Sequence, residues 1–201
     1  MTCPRLAVAG TATVKHQPAN LMPNTVGSFP KTELGKLLNK LRGSRTVIVG
    51  IGNVLKGDDA AGPLLCQELQ KAGVCAQVID AGTAPENYIQ PIIKKTPQNL
   101  LFIDAMDFGA PPGTIRLFKP EQLSSFAYST HILSPRILAE MVCRDVKADV
   151  YFIGVQPAQV KLGQPVSEKV SLAVRELSRL IAEIFPRLHV KMQKSNFKKQ
   201  T

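Results

Sequence analysis

No two cysteines in this 201-residue chain stand in a C-x-x-C arrangement, so neither a zinc knuckle nor a redox dithiol is signalled. The four present, Cys3, Cys66, Cys75 and Cys143, read as buried reduced thiols. Cys66 and Cys143 fall in apolar helical patterns and Cys75 opens a strand. No apolar run reaches the roughly 18 residues that a membrane helix needs, which excludes a helical span. There is no G-x-S-x-G elbow, so a serine hydrolase built from His131 with Ser129 or Ser134 is disfavoured. The faintly apolar stretch Leu6 to Val14 is broken by threonines and a glycine, and reads as a leader in a cytoplasmic protein, not as an export signal.

Acidic residues are scarce, 15 against 25 Lys and Arg, giving a formal charge of +10. That excess is not spread evenly. Residues 1–45 hold seven bases and one acid, and residues 186–201 hold five bases and none, leaving 13 bases against 14 acids in between. A nucleic-acid surface belongs to the folded body, and here the body is almost neutral, so no nucleic-acid partner is expected. The division also suggests the organisation: an N-terminal extension over 1–44 with a possible helix at 32–42, an α/β domain over 45–185, and a basic, disordered tail over 186–201.

Within the body, short apolar runs alternate with helical patterns, the mark of an α/β domain with a largely parallel sheet. Strands are expected at Val47–Ile51, Val74–Ile79 ending at Asp80, Leu100–Ile103 ending at Asp104, Ile115–Phe118, and Val150–Val155. Pro63 in a first helical turn places a helix at about 61–72, and another runs through Ile89, Ile92 and Ile93. Ser134-Pro135 starts a helix to about Arg144, and Ser167 caps a last one striped by Val170, Val174, Leu177, Ile181 and Ile184. Leu34, Leu37, Leu38 and Leu41 have the spacing of an amphipathic helix that docks on the sheet edge.

The loop after the first strand, Gly50 to Asp59, has glycines in phosphate-loop fashion but lacks the rest. Gly52 to Gly57 fits G-x-x-x-x-G, yet Asp58 and Asp59 replace the lysine and hydroxyl that would hold a phosphate. The dinucleotide fingerprint fails as well, since Leu55 stands where its third glycine belongs. Carboxylates at a sheet edge suit a cation or acid-base chemistry instead. One of them, Asp59, has the capping of the next helix as its alternative use.

Ligands of an open parallel sheet bind beyond the carboxyl ends of its strands. Asp58, Asp59, Asp80, Asp104 and Asp107 all collect there in this reading, although turn and helix capping is an equal explanation of Asp80. His16 and His189 lie in the terminal segments, leaving His131 alone in the body. Asp59, Asp104 and His131 would offer two oxygens and one nitrogen, a donor set that suits a borderline ion such as Ni²⁺ or Zn²⁺.

These pieces, in order, resemble the hydrogenase maturation endopeptidases, most closely their HycI-type branch. The matching segments are Val49 to Leu65 with its Gly-Ile-Gly-Asn and Asp58-Asp59, then Asp80-Ala81-Gly82-Thr83, Ile103-Asp104-Ala105, Ser129-Thr130-His131 and Ile153-Gly154-Val155-Gln156-Pro157. The family often has glycine where Ala60 stands. The resemblance implies a three-layer α/β/α sandwich around a mostly parallel, roughly five-stranded twisted sheet. It also implies an endopeptidase that removes the C-terminal extension of a nickel-iron hydrogenase large-subunit precursor after nickel insertion, alone or beside other maturation factors. Carried over by motif, Asp59, Asp104 and His131 would meet the metal, Ni²⁺ supplied by the substrate, and Asp80 would lie beside them as a further catalytic carboxylate. A nucleotide-binding α/β protein using Gly50–Gly57 and a basic-tailed adaptor are the competing readings.

Overall fold

The computed structural model describes residues 32–123 and 135–187. Its five strands are β1 (Thr46–Ile51), β2 (Gln77–Gly82), β3 (Asn99–Ala105), β4 (Ile115–Phe118) and β5 (Asp149–Val155). They form one sheet in the order β2-β1-β3-β5-β4. All pairings are parallel except β4 with β5, so β4 is an antiparallel edge. The helices are α1 (Glu33–Leu41), α2 (Ala61–Ala72), α3 (Ile89–Lys94), α4 (Pro135–Cys143) and α5 (Glu168–Ile184). Among the described residues no helix is long and apolar enough to cross a membrane.

The central strands β1 and β3 are buried along their whole length, as expected of strands covered on both faces. Alternate residues feed two cores. Ile48, Leu101, Ile103, Ile153 and Val155 pack with α1, α2 and α5, while Val47, Val49, Leu100, Phe102 and Phe152 pack with α3 and α4. On the second face Phe102 and Phe152, paired in register, stack with centroids 4.9 Å apart. The architecture is therefore three layers, helix, sheet and helix, as the family resemblance implies.

The helix foreseen near 32–42 forms with Thr32 as its cap, the hydroxyl accepting from the Gly35 amide at 3.1 Å. Its four leucines are buried in the same core as α5, next to the β4 edge. Lys40 fastens it further, reaching Asp149 at 3.1 Å and the Tyr151 hydroxyl at 3.3 Å.

Two expectations need correction. The run Val74–Ala76 is not strand. Gly73 closes α2 in the left-handed conformation, Val74 donates back to Leu69, and Cys75 donates to Phe185, so pairing starts only at Gln77. Asp80 accordingly lies inside β2, which continues to Gly82 past an irregular step opposite Gly50 and Ile51. Nor are all the thiols buried, because Cys66 is inside but Cys75 and Cys143 are exposed. Ser134, the expected cap of α4, and Cys3 lie outside the described residues.

Candidate active site

The chain leaves β1 through a turn that only glycine permits. At Gly52 φ is +145°, and an added Cβ would collide with the carbonyl of Asp59. Gly62, in the first turn of α2, lies so close to the backbone of Ile51 and the carbonyl of Ile103 that a methyl group there has no room. These contacts set α2 directly over the ends of β1 and β3. They also bring the short 3-10 turn Gly57–Ala60 against β3.

Asp59 and Asp104 are thereby carried to adjoining parts of the carboxyl edge, each 1% exposed. Asp59 does not cap α2, where Ala60 takes the cap position without a side-chain bond. One carboxylate oxygen of Asp59 instead accepts the Asn53 amide at 3.0 Å, across the glycine turn. Asp104 is the penultimate residue of β3, paired in register with Gly154. Asp80 is placed differently. It is exposed, and its carboxylate accepts from the Gly82 amide at 3.0 Å. Strand alternation sets Asp80 with Val78 on the α2 face, whereas Asp104 alternates with the apolar residues of that face and falls with Phe102 on the α3 and α4 side. Its charge is felt by Cys66: burial first, and the Asp80 carboxylate second, push that thiol from 9.0 up to about 12.

The loop amides answer the nucleotide reading. Asn53 donates to Asp59, Leu55 to the Asn53 side chain, Lys56 to the Asn53 carbonyl, Asp58 to Gln159 and Asp59 to Lys56. A phosphate cradle needs such N–H groups aimed outward, and these five are turned inward. Two buried carboxylates complete the mismatch with an anion.

Among the described residues no three His, Cys, Asp or Glu side chains are gathered as a metal cage. Asp59 and Asp104 provide two hard oxygen donors, while His131 lies outside the described residues.

Comparison with known proteins identifies the scaffold. The HycI family of hydrogenase maturation proteases matches residues 63–184, more than half of the chain. The chain belongs to the hydrogenase maturation protease family. It is 37% identical over 130 residues to the hydrogenase 3 maturation protease of Escherichia coli K12, covering 64% of this chain and 83% of that one. The crystal structure of the [NiFe] hydrogenase maturation protease HycI from Thermococcus kodakarensis superposes with a TM-score of 0.68 at 34% identity, over 74% of this chain and 97% of the other. The solution structure of the endopeptidase HycI from Escherichia coli gives 0.63 at 33%, over 73% and 97%. The protein is accordingly a peptidase, and its α/β fold is that of its relatives.

Two residues of this protease do more than its sequence motifs disclose. Asp58, fully buried, accepts from the amides of Ala158 at 2.7 Å, Gln159 at 3.2 Å and Ser167 at 2.6 Å, and from the Ser167 hydroxyl at 2.9 Å. It therefore ties the β1–α2 loop to the β5–α5 loop and sets a negative charge at the N-terminus of α5. Gln156 braces the loop that follows β3. Its side-chain oxygen accepts from the Phe108 and Ala110 amides at 2.9 and 3.2 Å, and its nitrogen donates to Asp107 at 3.0 Å. That bond, followed by the Gly109 amide, lowers the Asp107 carboxyl below its ordinary 3.8. The Gln-Pro motif marked position 156, but its partners are nearly fifty residues upstream and carry no signal of their own.

Proposed function

We propose that this protease removes the C-terminal extension of a nickel-iron hydrogenase large-subunit precursor after nickel insertion. The precursor's own nickel is the feature recognised, by Asp59, Asp104 and His131. The observation that carries the reading is the pair of buried carboxylates, Asp59 and Asp104, held at one carboxyl edge by a glycine-built turn. Two carboxylates brought to one edge offer hard oxygen donors, and a divalent ion presented by the substrate is the group such donors take.

The chain's own contribution to cleavage is positional and acid-base. Asp59 is oriented by the Asn53 amide, and Asp104 by its place in β3. Asp80, exposed near the end of β2 at the same carboxyl edge but on the α2 face, takes the proton as water adds to the scissile carbonyl and returns it to the departing amide nitrogen. In this sense the enzyme works as an aspartic-type endopeptidase, one that checks that its precursor is loaded.

The test compares nickel-loaded with nickel-free precursor, using purified protein stripped by a chelator and assayed for its metal content. Cleavage confined to the loaded precursor supports the reading. Efficient cleavage of nickel-free precursor by stripped enzyme overturns the nickel check.

A further inference from the structure

Four large apolar side chains stand out from the protein on the two loops that Asp58 joins. Val54 and Leu55 on the β1–α2 loop are 66% and 64% exposed, and Val160 and Leu162 on the β5–α5 loop are 40% and 71% exposed. The loops adjoin, since the Gly163 amide donates to the Leu55 carbonyl at 2.8 Å and the Asp58 amide to the Gln159 carbonyl at 3.0 Å. They are also knitted internally. Gln159 accepts from the Lys161 amide at 3.1 Å and donates to the Pro165 carbonyl at 3.1 Å, and its side chain fills the space over Gly57. Exposed leucines on a floppy loop mean little, but on a braced platform they are held ready for a partner.

We propose that Val54, Leu55, Val160 and Leu162 form a docking platform for an apolar, carboxylate-bearing segment of the precursor. This rests on the reaction proposed above. Two features select that occupant. The platform is continuous with the site, because Val54 and Leu55 lie on the same loop as Asp59. Its charge is of one sign: Lys56 and Lys161 are exposed beside the apolar side chains, while the acids of the β1–α2 loop, Asp58 and Asp59, are buried. An apolar contact flanked by two ammonium groups fits an apolar segment with carboxylate neighbours.

The experiment measures cleavage of the nickel-loaded large-subunit precursor by the full chain and by Leu55→Ser/Leu162→Ser. The expected result is a KM raised about tenfold or more, with the loss carried by KM and not by kcat, and an unchanged melting temperature. Lys56→Glu/Lys161→Glu raises KM as well and weakens its dependence on salt. If the serine double variant melts early, Leu162→Ser alone, at the most exposed of the four positions, carries the same expectation. Failure of the unsubstituted protein to cleave overturns the reaction and the docking together. Cleavage by the double variant with the original KM overturns the docking alone. A dimer of the unsubstituted protein that the double variant converts to monomers, with KM unchanged, would assign the platform to a second copy and likewise overturn the proposal.

Discussion

The carboxylate of Asp58 holds the amide and the hydroxyl of Ser167, 2.6 and 2.9 Å away, across 109 residues of chain. Ser167 is itself the cap of α5, so one buried acid both anchors that helix and fixes the loop that carries Asp59.

Removing that acid should be felt as stability. Asp58→Ala strands four donors that now share one carboxylate, and should cost roughly 2–4 kcal/mol. Asp58→Asn keeps an acceptor and should cost less. Urea denaturation of both variants checks the order, and equal stability of Asp58→Ala and the unsubstituted protein would remove the anchor role.

Asp59→Asn and Asp104→Asn should behave in the opposite way. Each preserves volume at a loop or strand end but weakens the donor set, so cleavage of loaded precursor should fall about 100-fold or more while the melting temperature moves little. The measurement is paired: precursor cleavage by gel, and thermal unfolding by circular dichroism. Unfolding of both variants would mean that the carboxylates serve the fold.

The thiols should separate by reactivity. Cys66, held up at about 12 by burial and by the Asp80 charge, should resist alkylation at pH 8 in the folded protein, whereas Cys75 and Cys143 are exposed to reagent. Because the folded value is the higher one, the stability Cys66 contributes is complete below its ordinary 9.0 and drains away as pH rises towards 12. Mass mapping of alkylated peptides before and after denaturation reads the difference. Rapid labelling of Cys66 in the native state would contradict its burial.

In the loop after β3, Gln156→Leu should raise the Asp107 carboxyl towards its ordinary value, because the first cause of its lowering is gone. A depressed carboxyl favours the folded state above its unfolded value, and the favour is lost as pH falls through the folded one. The variant should therefore show a weaker loss of stability on acidification in the range below the ordinary 3.8. Carbon-detected NMR titration of Asp107 in the two proteins tests this directly.

Much of the scaffold was legible because its signals are local. The helix at Ala61–Ala72 lies where Pro63 puts it, and β4 spans Ile115–Phe118 as its short apolar run suggests. The strand at Val74 was misread because an apolar run says nothing of what its amides bond to, and here Leu69 and Phe185 claim them. Asp59 and Asp104 were visible as acids following strands, and the structure buries both. The work of Asp58 was hidden for a physical reason: a carboxylate that binds backbone amides of residues 158, 159 and 167 leaves no spacing rule in the sequence. Exposure of Cys143 was missed for the converse reason, since an apolar pattern names the buried face of α4 without saying on which side of its boundary a small residue falls.

The burial of α1 against α5 has a consequence for biosynthesis. A chain is made from its N-terminus, so Leu34, Leu37, Leu38 and Leu41 leave the ribosome well before Glu168–Ile184 exists to cover them. At typical elongation rates of ~5–20 residues per second that wait lasts on the order of ten seconds. Until then the four leucines lack the helix that shares their core in the finished domain.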